Sequence, residues 1–237
     1  MRADIPAKED APILKVAAWD SPLVLMHHLR NSVGSVSQII DIISKKEDPE
    51  ARRAMVSLIQ DCVKSSMDLM EEYGQLLQPL ETKREPLALA AWLIGLIDNH
   101  PIAGAAGVTV NRPAAAGDLP LIRADERQLG RAIHAVLDNA LEALEGGGTL
   151  SVSLRKDTRR GQLRLIFQDS GPGMEGYILE HVLEPFYSMK KGHKGVGLSW
   201  AQKIARAHGG ELEVVSAPGQ GSSVTMTLPL PSRGKTK

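Results

Sequence analysis

The sequence predicts an α+β chain: an N-terminal antiparallel helical hairpin, paired as a four-helix bundle in a dimer, followed by a two-layer α/β sandwich. Three observations predict it. Two long stretches of helical apolar periodicity, broken once at Lys45-Lys46-Glu47-Asp48-Pro49, fill residues 21–78. Beyond a proline-bounded stretch at 79–86, helical patterns mix with short alternating ones, as when helices are layered on a mixed sheet. Finally, alternation at Leu163, Leu165 and Phe167 runs into Asp169-Ser170-Gly171-Pro172-Gly173, while Gly195 and Gly197 open another helical pattern.

Composition excludes several classes. With 237 residues and 43% apolar content the chain can form one or two domains with real cores. Its 28 basic and 28 acidic residues cancel, so there is no basic field for nucleic acid or an anionic membrane. The lone Cys62, between Ile59 and Val63, rules out an intramolecular disulfide framework and a multi-cysteine zinc site, and reads as a packed thiol. No apolar run approaches the roughly 20 residues of a membrane helix, and no signal-peptide pattern is present, so the expected location is cytoplasmic.

In chain order, residues 1–20 carry prolines and mixed charge without periodicity and read as a mobile lead-in. Asp20 or Ser21 can cap a first helix with Pro22 in its first turn, and Leu23, Met26, Val33, Val36, Ile40 and Ile43 continue it to about Ser44. A second helix, with Ala54, Met55, Leu58, Ile59, Cys62, Leu69, Tyr73 and Leu76 as its stripe, runs to about Gln78. Such a hairpin cannot bury its stripe alone, which predicts a homodimer. After the 79–86 linker a helix spans Leu87 to Ile97, and a short strand lies near Val108 to Val110 within a Gly-, Ala- and Pro-rich loop. Another strand is expected at Leu121 to Arg123. The long amphipathic helix Asp125 to Leu144 carries Asn139 between Leu137 and Leu141, where a buried amide would need a partner. Thr149 to Arg155 and Gln162 to Gln168 form one hairpin, and Glu211 to Ser216 and Ser222 to Leu228 the last. Between them a helix ends at His208-Gly209-Gly210, where His208 reads as a cap suited to the helix dipole. Residues 87–230 make the sandwich, and 231–237 a tail.

Glycines that open a helix let backbone N–H groups approach phosphate oxygens, and Lys190, Lys191 and Lys194 stand just before them. Asn139 in its Leu-x-Asn-Ala surround, Asp169-x-Gly171-x-Gly173, Glu184-Pro185-Phe186-Tyr187 and Gly195-x-Gly197-Leu198 follow in an order and spacing that resemble the four ATP-binding boxes of sensor histidine kinases. His27-His28-Leu29-Arg30-Asn31, on the first hairpin helix, resembles the phosphoacceptor box of the same family. The resemblance implies a two-component histidine kinase whose ATP-binding domain belongs to the superfamily shared with gyrase, a heat-shock chaperone and mismatch-repair proteins.

The resemblance also implies roles. His27 is the phosphoacceptor, His28 the base beside it, and Asn31 the group that orients water for hydrolysis of a partner's phosphoaspartate. Asp169 accepts the adenine amino group, and Asn139 binds Mg²⁺ through its side-chain oxygen. Gly171 and Gly173 close on base and sugar; Gly195, Gly197 and Leu198 approach the phosphates, with Lys190 and Lys191 in the lid. The implied cofactors are ATP and Mg²⁺, and the implied partners a second copy and the receiver domain of a response regulator, with no sensor domain ahead of the hairpin. Four positions depart from the pattern. His28 stands where the family has Asp or Glu, Ser32 where it has proline, Ala135 where it has a first Asn, and Ser199 where it has a third glycine. They predict slow or absent autophosphorylation and weaker Mg-ATP binding. Two other readings stay open: a kinase-derived histidine phosphotransfer protein or phosphatase, and an ATP-dependent clamp or chaperone of the wider superfamily.

Overall fold

A computed structural model describes residues 23–45, 48–114, 120–188 and 194–231. The chain divides into two compact units. One contains Ala17–Pro79 and Glu184–Val196; the other contains Leu80–Leu183 and Gly197–Lys237.

The first unit is built on helices α1 (Leu23–Ile43) and α2 (Pro49–Leu77). Asp48 caps α2 by accepting the N–H of Glu50 at 3.0 Å, and Pro49 occupies the first turn, where a missing N–H costs nothing. Pro79 follows the Gln78 cap and prevents continuation. Among the described residues, seven of the ten exposed large apolar residues on these helices fall in series seven apart, Met26, Val33 and Ile40 on α1 and Val56, Val63, Met70 and Leu77 on α2, while Ile42, Leu58 and Met67 lie outside the series. A seven-residue repeat is the spacing of a seam between paired helices. Val33, 68% exposed, and Leu77, 57% exposed, show that the single chain leaves this seam uncovered.

The second unit is the expected two-layer sandwich. Its main sheet has the order β2-β4-β5-β7-β6, formed by β2 (Val108–Asn111), β4 (Gly148–Asp157), β5 (Gln162–Asp169), β7 (Ser222–Pro229) and β6 (Glu211–Ser216). Only β2 and β4 run parallel; the other pairs are antiparallel. Helices α3 (Leu89–Asp98), α4 (Glu126–Ala143) and α6 (Gly197–Ala207) supply the other layer, and α5 (Gly176–His181) follows the Asp169 turn. The core joins Leu93 and Ile97 of α3, Ile133 and Leu137 of α4, Ile204 of α6, Phe167 of β5 and Met226 of β7. Along β5 every second residue, Leu163, Leu165, Phe167 and then Asp169, is buried. The period of two therefore puts a carboxylate on the core-facing side at the strand's last position.

Two features go beyond the local sequence patterns. β1 (Glu85–Leu87) pairs antiparallel with β3 (Ile122–Ala124), drawing the end of the 79–86 stretch into a small second sheet. Pro101–Gly104, in the stretch read as loop, forms a 3₁₀ turn. Both depend on distant partners: Glu85 pairs with Ala124, and Asp138 holds the His100 that caps the turn. No helix among the described residues is long and apolar enough to cross a membrane.

Leu137 is fully buried on α4, two residues from Asn139. Leu137→Ala is expected to cost about 2–5 kcal/mol of unfolding free energy, by transfer plus residual cavity. Urea unfolding checks this; a loss below about 1 kcal/mol would mean α4 does not pack as described.

Candidate nucleotide and phosphoacceptor sites

In the sandwich unit the site is organised by Asp169. Its Oδ1 accepts the backbone N–H of Gly171 at 2.9 Å and that of Ser222, on the neighbouring β7, at 3.2 Å. Both of these bonds fall on Oδ1. The residue is 8% exposed, and burial raises its carboxyl pKa, against the pull of the two N–H donors. Chain segments close tightly around it. A Cβ on Gly221 would lie 2.0 Å from the Asp169 carbonyl oxygen, and one on Gly173 1.9 Å from the carbonyl oxygen of Ala217. A Cβ on Gly171 would meet the Ala143 carbonyl at 2.8 Å. These glycines are needed first for backbone approaching backbone, which seats the carboxylate between β5, β7 and the end of α4.

Asn139 sits on α4 away from the core, exposed, so the expected cost of a buried amide does not arise. Its Nδ2 donates to the Ala135 carbonyl one turn back at 3.0 Å. That bond assigns the amide: Oδ1 is the atom presented outward, an acceptor able to meet a cation. Ala135 also faces the start of α6, with a Cβ on Gly197 falling 3.5 Å from the Ala135 methyl. Leu198 and Ser199, 7% and 1% exposed, turn into the interior, so α6 reaches the site with its backbone N–H end rather than with these side chains. α4 is held in place at Asp138 by His100, whose Nδ1 accepts the Ile102 N–H at 3.2 Å and whose Nε2 therefore donates to Asp138 at 3.1 Å.

In the hairpin unit, His27 and Asn31 lie one turn apart on α1, with Asn31 Nδ2 3.1 Å from His27 Nε2. An amide N–H is donated to Nε2 only when the ring proton is on Nδ1, so the Nε2 lone pair is the one that accepts the Asn31 amide. The side chain of His28 lies outside the described residues, as do Lys190 and Lys191. The segment Glu184–Val196 closes on itself: Phe186 donates its N–H to the Gly195 carbonyl at 2.9 Å, and a Cβ on Gly195 would fall 2.5 Å from the Tyr187 carbonyl oxygen. Within the same unit Phe186 lies 6.0 Å from the Tyr73 ring, and Lys194 pairs with Glu72 at 3.3 Å. Phe186 adopts φ 66°, a left-handed conformation that is uncommon for a bulky residue.

The family described as "Histidine kinase-, DNA gyrase B-, and HSP90-like ATPase" matches residues 124–232. Sporulation kinase D of Bacillus subtilis is 27% identical over 208 residues, covering 86% of this chain and 40% of the relative. Residues 124–232 thus carry the ATPase domain of that family, and most of the chain is similar to histidine kinases. Among solved structures, full-length ShkA in complex with AMPPNP shares the fold with a TM-score of 0.60 at 22% identity, over 86% of this chain and 44% of that one. The histidine kinase ThkA in complex with the response regulator TrrA does so with a TM-score of 0.59 at 17% identity, over 89% and 61%. The chain spans less than half the length of the sporulation kinase it matches.

Three contacts of this fold escape a sequence reading. Ser222 reads only as the first residue of the last strand, yet its N–H holds Asp169; the β5–β7 register, Asp169 opposite Ser222, brings them together. His100 has no local motif. His208 does cap α6, with Nδ1 2.8 Å from the Ile204 carbonyl, but it is 1% exposed and burial lowers its pKa, so it caps as a neutral group rather than as a cation suited to the dipole.

For Asp169 the sign follows from its raised pKa. A carboxyl favoured neutral in the fold destabilises the folded state once the pH exceeds the ordinary carboxylate range. Asp169→Asn can keep its carbonyl on the two N–H groups, so it is expected to raise the melting temperature without nucleotide at neutral pH, by an increment that vanishes in acid. Thermal scans across pH check this; a lower melting temperature at neutral pH would contradict the burial argument.

Proposed function

We propose that the chain is an ATP-dependent histidine kinase that phosphorylates its own His27 and passes the phosphoryl group to an aspartate of a response-regulator receiver domain. The observation that carries this is the Asp169 carboxylate, built in with one oxygen fixed by two backbone N–H groups. An acceptor at that point suits the amino group of adenine and repels the carbonyl of guanine. Gly171 and Gly173 border the base and sugar. The N–H end of α6 at Gly197 and Leu198 suits the phosphates, the role that the resemblance also gives to Gly195, Lys190 and Lys191. Asn139 Oδ1 is the ligand for Mg²⁺, which when bound neutralises charge on the transferred group.

On the hairpin, the His27 Nε2 lone pair attacks the γ-phosphorus as the bond to the bridging oxygen breaks and ADP leaves. The proton on Nδ1 then passes to His28 or water, giving a neutral phosphohistidine. Asn31 sits where its amide reaches Nε2 and can later orient water at a partner's phosphoaspartate. The uncovered seven-residue seam supports a homodimer through α1 and α2, forming a four-helix bundle. ShkA was solved with AMPPNP and ThkA with its response regulator TrrA, which supports both the nucleotide and the partner. A supply of ATP places this part of the chain in the cytoplasm. The Asn31 amide at the phosphoacceptor also favours a second activity, as a response-regulator phosphatase.

Incubation with γ-labelled Mg-ATP tests the reading. Wild type and Asn31→Ala are expected to take up acid-labile, base-stable label, and His27→Gln to fall by at least about a hundredfold. No label on wild type, with nucleotide bound, would overturn the kinase reading and leave the relay or phosphatase.

A further inference from the structure

Behind the nucleotide face, four segments of the sandwich unit meet at His208. Its Nδ1 lies 2.8 Å from the Ile204 carbonyl oxygen, which can only accept, so Nδ1 carries the proton. Nε2 is therefore an acceptor, and it takes the backbone N–H of Asp125 at 2.9 Å. Both oxygens of Asp125 are also used. Oδ1 caps α4 by accepting the Gln128 N–H at 3.0 Å, and Oδ2 accepts the Lys83 N–H at 2.9 Å. The Arg84 guanidinium donates to the carbonyl of Ala207, and Arg123 donates to the carbonyl of Arg84 at 2.9 Å. The chain arriving from Pro79 is thus fastened, at Lys83 and Arg84, to the first turn of the Asn139 helix and the last turn of α6.

We propose that His208 is a positioning residue: a neutral-imidazole clasp that holds the linker to the cap of the Asn139 helix and releases it in acid. A second ring proton can go only to Nε2, where it would face the Asp125 N–H, donor against donor. Clasp and imidazolium exclude one another. The charged groups acting on the ring are Arg84 from the linker, which opposes protonation, and Asp125 from the α4 cap, which favours it. Burial outweighs both and lowers the imidazole pKa, with the Ile204 bond pulling the other way. Burial pushes the Asp125 carboxyl up, but the N–H groups of Gln128 and Lys83, with His208 and Arg127, bring it below its ordinary value. The fold thus favours the ionised form of Asp125. A histidine held neutral by the fold contributes stability that is full above the ordinary imidazole range and lost as the pH falls through its depressed value.

The linker is the covalent connection between the phosphoacceptor hairpin and the sandwich, so its release frees one end of the path along which the two are coupled. That consequence rests on the kinase reading; the clasp itself does not.

Amide hydrogen exchange on the full chain, corrected for intrinsic rates, tests it without nucleotide. In wild type the Lys83, Asp125 and Gln128 amides are expected to be protected at about pH 7.5, and to lose up to about tenfold in protection per pH unit as the pH falls from the ordinary imidazole range to the depressed value of His208, while β5 and β7 keep theirs. His208→Gln, whose side-chain oxygen can accept the Asp125 N–H and does not titrate, should keep the protection at both ends of the range. His208→Leu should lack it throughout. Equal protection of wild type at about pH 7.5 and about pH 5, or the same acid loss in His208→Gln, would overturn the proposal. Because the glutamine variant preserves the bond, a leucine variant that fails to fold still leaves this comparison decisive.

Discussion

Two backbone N–H groups, from Gly171 and Ser222, hold one oxygen of Asp169 at the core end of β5, and the nucleotide face is arranged around that hold. A buried carboxylate without donors would be costly enough to neutralise itself or to disrupt the strand. Here the donors come from a turn and from the adjacent strand, and both must come very close. Glycine at 171, 173 and 221 removes the Cβ atoms that would otherwise collide with the carbonyls of Ala143, Ala217 and Asp169. The same closeness seats the turn on the end of α4, and α4 is the helix that presents Asn139. One electrostatic requirement thus links β5, β7, the terminal hairpin and the Asn139 helix.

What could be read in the sequence was what is encoded locally. The period of two in β5 places Asp169 on the buried side, and the glycines around it signal a backbone that must bend or approach closely. α4 declares itself by a stripe from Leu129 to Leu144, and the hairpin helices by theirs. What could not be read were partners brought together by topology. Ser222 lies 53 residues from Asp169, His208 lies 83 from Asp125, and His100 lies 38 from Asp138. His208 shows the cost most clearly. At a helix end a histidine usually serves as a cation for the dipole, but burial together with an N–H donor aimed at Nε2 makes the charged form the wrong one.

The two units stand on different energetic footings. The sandwich buries its own core, with Leu93, Ile97, Leu129, Ile133 and Leu137 at zero exposure. The hairpin has no such interior, and its seven-residue seam of Val, Ile, Met and Leu remains open in one copy. Apolar area of this kind drives association at about 25 cal/mol per Å², so a second copy is the natural way to complete it. On the proposed reading, the phosphoacceptor His27 sits on an element that a second copy would complete, while the nucleotide face belongs to a unit that buries its own core.

Calorimetric titration of the wild-type chain with Mg-ATP and with Mg-inosine triphosphate is the most direct test of Asp169 as the acceptor for adenine. Inosine replaces the amino group by a carbonyl and changes nothing else the phosphates or metal would meet. ATP should bind more tightly by on the order of a hundredfold or more, since a buried carboxylate facing a carbonyl loses its partner and gains a repulsion. Equal affinities would contradict the assignment and with it the placing of the nucleotide at this end of β5.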